Sequence, residues 1–123
     1  MKVEKRDGVT ILITEERVDS LDGPKLRDAV KQLLAQEPCL KLVIDMGKTL
    51  FLDSEGCGGL VSSLRTLANN HGDMKIARPT PRVYEIFQLT RLHRVFEIYD
   101  SVESAVESFT YQPDTVPSSC LEP

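Results

Sequence analysis

The chain has 123 residues, the usual length of a single domain, and its 41% hydrophobic and 28% charged residues are typical of a globular protein. Its formal net charge of −4 argues against a direct nucleic-acid partner, because such proteins usually carry a basic field that attracts phosphates. The N-terminus is charged where a signal peptide would be apolar, and no run approaches the ~18 to 20 apolar residues of a membrane-spanning helix. We therefore expect a cytoplasmic protein without membrane insertion.

The first part of the chain predicts a β-hairpin, a helix and a buried strand. Two short segments of strand-forming residues flank Asp7-Gly8, a strong turn dipeptide. From Pro24, apolar residues recur at the spacing of an amphipathic helix, which Pro38 ends. The apolar run 40–44 is too brief for a helix and rich in β-branched residues, so it predicts a central strand.

The second part of the chain alternates helices with strands and ends in a different composition. It predicts a helix that starts near Ser54, a strand at 74–77, a helix capped by Thr80, a strand at 95–99 and a helix that starts at Asp100. A hairpin followed by this alternation implies an α/β fold whose interior strands are parallel. Residues 110–123 contain three prolines and neither Lys nor Arg, so we expect one domain at 1–109 and a mobile tail at 110–123.

The most informative stretch is 53–60, Asp-Ser-Glu-Gly-Cys-Gly-Gly-Leu, which places Ser54 where a strand and its loop lead into a helix. A hydroxyl there can cap the helix, act as a nucleophile or accept a phosphate. Gly56, Gly58 and Gly59 are unusual in this position, since each glycine inside a helix costs roughly 0.8 to 1 kcal/mol relative to alanine. They predict an accessible first turn that a partner surface can approach closely.

Several blocks occur in an informative order along the chain. They are Val-Ile-Asp at 43–45, Phe-Leu-Asp-Ser-x-Gly-x-Gly at 51–58, Phe-Gln-Leu-Thr-Arg-Leu at 87–92, Val-Phe-Glu-Ile-Tyr at 95–99 and Ala-Val at 105–106. Together they resemble the STAS domain of the anti-sigma factor antagonist family, over roughly residues 3 to 109. The resemblance implies the STAS fold, an α/β fold with a mixed sheet of four to five strands and about four α-helices packed mainly on one face.

The same resemblance implies a regulatory protein that switches partners. An antagonist of this family binds an anti-sigma factor that is also a serine kinase, which frees the sigma factor. Ser54 matches the family's phosphoacceptor serine, a serine phosphatase reverses the modification, and ATP is bound by the kinase rather than by the antagonist. The implied partner-binding residues are Asp19, which resembles the aspartate that ends the family's second strand, together with Asp53, Ser54, Glu55, Gly56, Cys57 and Gly58. The chain departs from the family pattern at Glu55, Cys57, Gly59 and Arg91, the last of which replaces a usual glycine.

Other readings of these residues predict different classes of protein. A hydrolase is not expected, because the chain lacks a Gly-x-Ser-x-Gly elbow and its two histidines, His71 and His93, fall in predicted loops or helix ends. The three cysteines include no C-x-x-C pair, which argues against a zinc knuckle and a disulfide framework, and Cys57 is expected to be a packing residue. The chain also lacks a phosphate loop, so we expect no metal and no cofactor. An alternative keeps the fold but makes the chain a STAS subunit that docks constitutively on a transporter ATPase or a signalling assembly. In that alternative Ser54 is only a helix cap, and the acidic neighbour Glu55 motivates it.

Overall fold

The computed structural model describes residues 1–110 of the chain. The strands are β1 (Lys2–Arg6), β2 (Val9–Ile13), β3 (Arg17–Val18), β4 (Lys41–Asp45), β5 (Phe51–Leu52), β6 (Asp73–Ala77) and β7 (Glu97–Tyr99). The helices are α1 (Asp22–Gln36), α2 (Ser54–Asn69), α3 (Pro81–Leu89) and α4 (Val102–Thr110), with a 3₁₀ turn at Leu92–Arg94. The alternation of helices and strands predicted from the sequence is confirmed.

Five strands form one mixed sheet in the order β1-β2-β4-β6-β7. β1 and β2 pair antiparallel, and the other neighbouring pairs are parallel. The hairpin turns at Asp7 and Gly8, whose φ angles of 53° and 79° are the positive values that a tight two-residue turn needs. Both the predicted hairpin and the predicted parallel interior are confirmed.

The central strand β4 separates two apolar layers. Leu42 and Ile44 belong to the layer that contains the buried residues of α1, α2 and α3, whereas Val43 belongs to the layer that contains those of α4. This follows from the alternation of side chains along a strand that is covered on both faces. Three of the four helices therefore pack on one face of the sheet, in agreement with the predicted α/β fold, and α4 covers the other.

A second sheet of two strands was not expected from the sequence. β3 and β5 pair in parallel, with Arg17 opposite Phe51 and Val18 opposite Leu52. The backbone amide of Phe51 also donates to the carbonyl of Glu16 at 3.0 Å. Two residues are too few to show a polarity pattern, so only the folded chain reveals that these segments meet.

Two predicted boundaries are wrong by one or two residues. The last strand starts at Glu97 because the chain first makes the 3₁₀ turn. The last helix is capped by Ser101 rather than Asp100, since Ser101 Oγ accepts a hydrogen bond from the Ser104 amide at 3.1 Å.

The predicted boundary between domain and tail, after residue 109, falls in the last turn of α4. α4 extends to Thr110, one residue into the predicted tail, and residues 111–123 of that tail lie outside the described residues. No helix within residues 1–110 is both long enough and apolar enough to cross a membrane.

Candidate functional site

The small sheet of β3 and β5 brings together Asp19 and Asp53, two acidic residues that are far apart in the sequence. Because Val18 and Leu52 are opposite each other in parallel strands, Asp19 and Asp53 leave the strands side by side. The backbone amide of Asp53 donates to the carbonyl of Val18 at 3.4 Å, which ties the two segments together. The loop before α1 and the first turn of α2, which contain the implied partner-binding residues, therefore lie side by side.

The N-cap of α2 is Asp53. Its Oδ1 accepts a hydrogen bond from the Gly56 amide at 2.8 Å, and its backbone carbonyl accepts one from the Cys57 amide at 2.9 Å. Ser54 is the first residue of the helix and is exposed. The interpretation of Ser54 as the cap is wrong, because a carboxylate one position earlier already fills that role.

The helix terminus favours negative charge at Ser54. The first amides of a helix lack intrahelical acceptors, and the aligned peptide dipoles give this end a partial positive charge. Glu55, also exposed, adds a carboxylate in the same turn. A phosphate on the Ser54 hydroxyl would thus lie in solvent at the favourable end of the dipole, but beside existing acidic groups.

Asp19 holds the loop that enters α1. Its Oδ1 accepts a hydrogen bond from the Leu21 amide at 3.0 Å, and its Oδ2 lies 3.5 Å from Arg17 Nε. The Leu21 amide first, and then the Arg17 guanidinium, lower the pKa of this carboxyl below its ordinary value of 3.8, although partial desolvation opposes them. Asp19 is therefore ionised at neutral pH and half-buried at the edge of the surface.

The three glycines of α2 have different roles. A Cβ at Gly56 would collide with the backbone carbonyl of Val18, and one at Gly59 would lie 2.9 Å from both Cα and O of Gly23 in α1. Only Gly58 is exposed, with open space where a Cβ would lie. The prediction that these glycines as a group open the helix to a partner is wrong for Gly56 and Gly59, which let α2 pack closely against its own neighbours.

Cys57 is a buried packing residue, as predicted. Its exposed fraction is 8%, and it belongs to the same apolar layer as α1, α2 and α3. Desolvation first, and then the negative charge of Asp53, raise the pKa of the thiol above its ordinary value. Among the implied partner-binding residues, Gly56 and Cys57 thus face inward, while Ser54, Glu55 and Gly58 are exposed and Asp19 and Asp53 are half-buried.

The sequence did not predict a groove between α3 and the segment that directly precedes Asp53. The groove has a volume of about 510 Å³ and is lined by Leu50, Phe51, Leu52, Arg82, Glu85 and Ile86. Phe51 is 40% exposed, and the Arg17 guanidinium carbon lies 4.4 Å from the centre of its ring. The apolar residues Leu50, Phe51 and Leu52, which directly precede Asp53, could have indicated one wall of the groove. The other wall is α3, which reaches this position only in the folded chain.

The structure separates Ser54 from both histidines. His71 follows the far end of α2, which spans about 24 Å over its 16 residues, and His93 lies in the 3₁₀ turn with Nδ1 3.3 Å from the Phe87 carbonyl oxygen. A hydroxyl nucleophile needs a base within hydrogen-bond reach, which neither histidine provides. Among the described residues, no group of three or more His, Cys, Asp or Glu side chains is arranged to hold a metal ion.

The sequence model of the STAS domain matches residues 1–105. The chain belongs to the STAS domain family. An anti-sigma F factor antagonist of Paenibacillus polymyxa is 21% identical over 106 residues, which cover 86% of this STAS domain chain and 91% of that protein. The crystal structure of an anti-sigma factor antagonist from Mycobacterium paratuberculosis superposes with a TM-score of 0.75 at 27% identity, covering 87% of this chain and 90% of that one.

A further structural neighbour is the anti-sigma factor antagonist SpoIIAA of Bacillus. Its unphosphorylated form has a TM-score of 0.76 at 17% identity and covers 92% of this STAS domain chain and 98% of its own. Its phosphorylated form has a TM-score of 0.68 at the same identity and covers 88% and 97% of the two chains. These similarities confirm the STAS fold that the resemblance implied.

Proposed function

We propose that this STAS domain is an anti-sigma factor antagonist that is switched by reversible phosphorylation of Ser54. The observation that carries the proposal is that Asp53, and not Ser54, caps α2. The exposed Ser54 hydroxyl is therefore not needed for the fold. A kinase can modify such a hydroxyl without breaking a structural hydrogen bond. The relatives described above are antagonists by name, and one of them has been solved in a phosphorylated form.

The switch would act through charge and bulk at an otherwise intact surface. A phosphate adds about −1.5 to −2 charges at pH 7, so the local charge contributed by Asp53, Glu55 and the phosphate would reach about −4. The helix tolerates this charge because it lies at the positive end of the dipole. A partner that packs against the neutral serine would lose affinity through repulsion and steric exclusion.

The proposed partners are an anti-sigma factor with serine kinase activity and a serine phosphatase, all acting in the cytoplasm. ATP would be bound by the kinase, and the STAS domain itself would be a non-enzymatic binding protein. Two surface features support a protein partner at this site: the exposed first turn of α2 and the adjacent groove between β5 and α3. The exposed Leu50 and Phe51 give that groove the apolar wall that a protein interface uses.

Phosphorylation can be tested with the candidate serine kinases of the anti-sigma factor type encoded in the same genome. Each kinase is incubated with ATP and the full chain, and phosphate is mapped by mass spectrometry. We expect phosphate on Ser54 and none on Ser54→Ala, whereas Ser20→Ala, which removes an exposed serine from the loop before α1, leaves modification unchanged. Absence of phosphate on Ser54 with every kinase would eliminate the switch.

Partner affinity provides the second test of this proposal. Ser54→Ala should bind the anti-sigma factor as the wild type does, and Ser54→Asp should bind it at least about tenfold more weakly, since unfavourable charge at an interface costs a few kcal/mol. Equal affinity for Ser54→Asp and wild type would contradict the charge argument. Binding to a transporter ATPase or signalling assembly that is equally tight for the wild type and for Ser54→Asp would instead favour the alternative of a STAS subunit docked there constitutively.

A further inference from the structure

The loop between α3 and β7 presents a basic, apolar surface, here called the basic knob and comprising Leu89, Arg91, His93, Arg94 and Val95. Leu89 is 77% exposed and Val95 is 50% exposed. Residues 86–96 contain two arginines and no Asp or Glu, although the whole chain has a net charge of −4. The basic knob is therefore opposite in charge to the rest of the molecule and carries an apolar centre.

The basic knob is held in one conformation by its own hydrogen bonds. The Arg91 amide donates to the Gln88 carbonyl at 3.2 Å, and the Val95 amide donates to the Leu92 carbonyl at 2.9 Å. Arg91 has a φ angle of 62°, a left-handed conformation that glycine adopts easily and arginine rarely. Leu89 is thus exposed on a fixed turn rather than on a frayed helix end, which favours binding because little ordering is required.

The opposite end of the molecule carries a complementary surface, here called the acidic edge and comprising Glu15, Glu16, Asp19, Asp22, Asp53 and Glu55. Leu21 lies among these residues and is 72% exposed. Two of these carboxylates have a cationic partner: Arg17 lies 3.5 Å from Asp19, and the N-terminal ammonium of Met1 lies 3.6 Å from Glu15. Lys25 lines the same pocket as Glu15 and Asp22, so these cations leave an excess of three negative charges at the acidic edge. The acidic edge thus places excess negative charge beside an exposed leucine, whereas the basic knob places positive charge beside one.

The two surfaces lie at opposite ends of α2 and of the sheet. α2 begins at the acidic edge and runs to the start of β6, where the Asp73 amide donates to the Leu40 carbonyl at 3.0 Å. The basic knob precedes β7, whose first residue Glu97 is opposite Lys75 in β6, so it lies at the end of the sheet where the parallel strands begin. One chain cannot bring its own knob and edge together.

We propose that the basic knob of one chain docks on the acidic edge of a second copy of this chain, head to tail. Charge complementarity and the paired exposed leucines favour this occupant over an anionic membrane, which the net negative charge of the remaining surface would repel. Because the two surfaces are different and face opposite ways, the contact is heterologous and does not close on itself. It leads to open chains of increasing length rather than to a discrete dimer.

Sedimentation of the full chain from about 10 µM to about 1 mM tests the proposal, a range chosen for a weak contact. We expect the average mass to rise with concentration beyond that of a dimer and to fall when salt is added, since exposed charges are screened. Leu89→Ser or Leu21→Ser should each weaken association by about tenfold. Val3→Ser, which changes an exposed residue in neither surface, is the matched control and should associate as the wild type does.

A mixing experiment distinguishes a head-to-tail contact from any symmetric one. Leu89→Ser retains a wild-type acidic edge and Leu21→Ser retains a wild-type basic knob, so an equimolar mixture should form a 1:1 dimer about tenfold more tightly than either variant associates with itself. A wild-type chain that stays monomeric throughout, or that stops at a dimer, overturns the proposal. Sedimentation with vesicles of phosphatidylglycerol, without self-association, would assign the basic knob to a membrane surface instead and would equally overturn it.

Discussion

Gly23 of α1 and Gly59 of α2 lie in direct backbone contact. A Cβ at position 59 would lie 2.9 Å from both the Cα and the carbonyl oxygen of Gly23, closer than real Cβ atoms approach. Neither backbone can move without displacing a helix, because both residues are buried. This contact sets the distance between the two helices and thereby places the loop of Asp19 against the first turn of α2.

Gly59→Ala should therefore destabilise the domain by about 1 to 3 kcal/mol through overpacking. Gly58→Ala is the matched control: it has open space at Cβ and should stabilise the domain by about 0.8 to 1 kcal/mol, because alanine is the better helix former. Urea unfolding of the two variants measures both changes. If both variants changed the free energy of unfolding in the same direction, the contact between Gly59 and Gly23 would not explain the role of Gly59.

Asp53→Ala should lower the free energy of unfolding by about 1 kcal/mol, because the Gly56 amide loses its acceptor. Ser54→Ala should change it by no more than about 0.5 kcal/mol, since the hydroxyl does not cap the helix. Asp53→Asn keeps an acceptor oxygen and should lie near the wild type. A larger loss for Ser54→Ala than for Asp53→Ala would return the capping role to the serine.

The capping residue illustrates what the sequence predicts and what it leaves open. The helix, the central strand β4 and the turn at Asp7-Gly8 follow from local patterns, which the folded chain reproduces. Asp53 and Ser54 are both good caps by local propensity, so the choice between them depends on where β5 ends. That strand exists only through its pairing with β3, which has no local signal.

The glycines of α2 show the same limit. Their unusual number was visible in the sequence and suggested a role beyond helix formation, but the predicted role, access for a partner, is wrong for Gly56 and Gly59. The identity of the approaching backbone was not visible, because Val18 and Gly23 lie more than 30 residues earlier in the chain. These long-range contacts decide which residues of the candidate site are buried, as Gly56 and Gly59 are, and which are exposed, as Ser54 and Gly58 are.

Lys75→Ala should destabilise the packing of α4 on the sheet. The Lys75 side chain is 3% exposed, and its Nζ lies 2.8 Å from Ser108 Oγ and 4.4 Å from the centre of the Phe109 ring. Removing it leaves a cavity and loses the hydrogen bond, at a cost of about 2 to 3 kcal/mol. Unfolding in urea and hydrogen exchange of the α4 amides measure the effect.

Lys75→Met is the control for that prediction, because it keeps the aliphatic stem and removes the buried charge. Its loss of stability should be clearly smaller than that of Lys75→Ala, because replacing a buried charge by an apolar group of similar size often costs little stability. Faster exchange confined to α4 in Lys75→Ala, and absent in Lys75→Met, is the expected pattern. Equal losses in the two variants would show that the ammonium group, rather than the packing of the stem, holds α4.

Asp19 should make the stability of the loop before α1 depend on pH in the acid range. Its folded-state pKa is lowered from 3.8, chiefly by the Leu21 amide, so its contribution is complete above pH 3.8 and is lost as the pH falls through the folded-state value. Asp19→Asn keeps an acceptor for the Leu21 amide but does not titrate, so this part of the acid loss should disappear. Unfolding curves at pH 5 and at about pH 2.5 compare the two proteins; an identical acid loss in both would contradict the assignment.

Gly58→Gln should separate the stability of the domain from its affinity for a partner. Gly58 is exposed with open space at its Cβ, and glutamine is a better helix former, so the melting temperature should rise. If the proposed anti-sigma factor contacts the first two turns of α2, the longer side chain should lower its affinity by about tenfold or more, whereas the smaller Gly58→Ala should have a lesser effect. Calorimetric titration with the partner and thermal unfolding are measured on the same samples. If Gly58→Gln is more stable than the wild type, a loss of affinity cannot be attributed to a destabilised fold. A more stable Gly58→Gln that binds as tightly as the wild type would place the partner elsewhere on the domain.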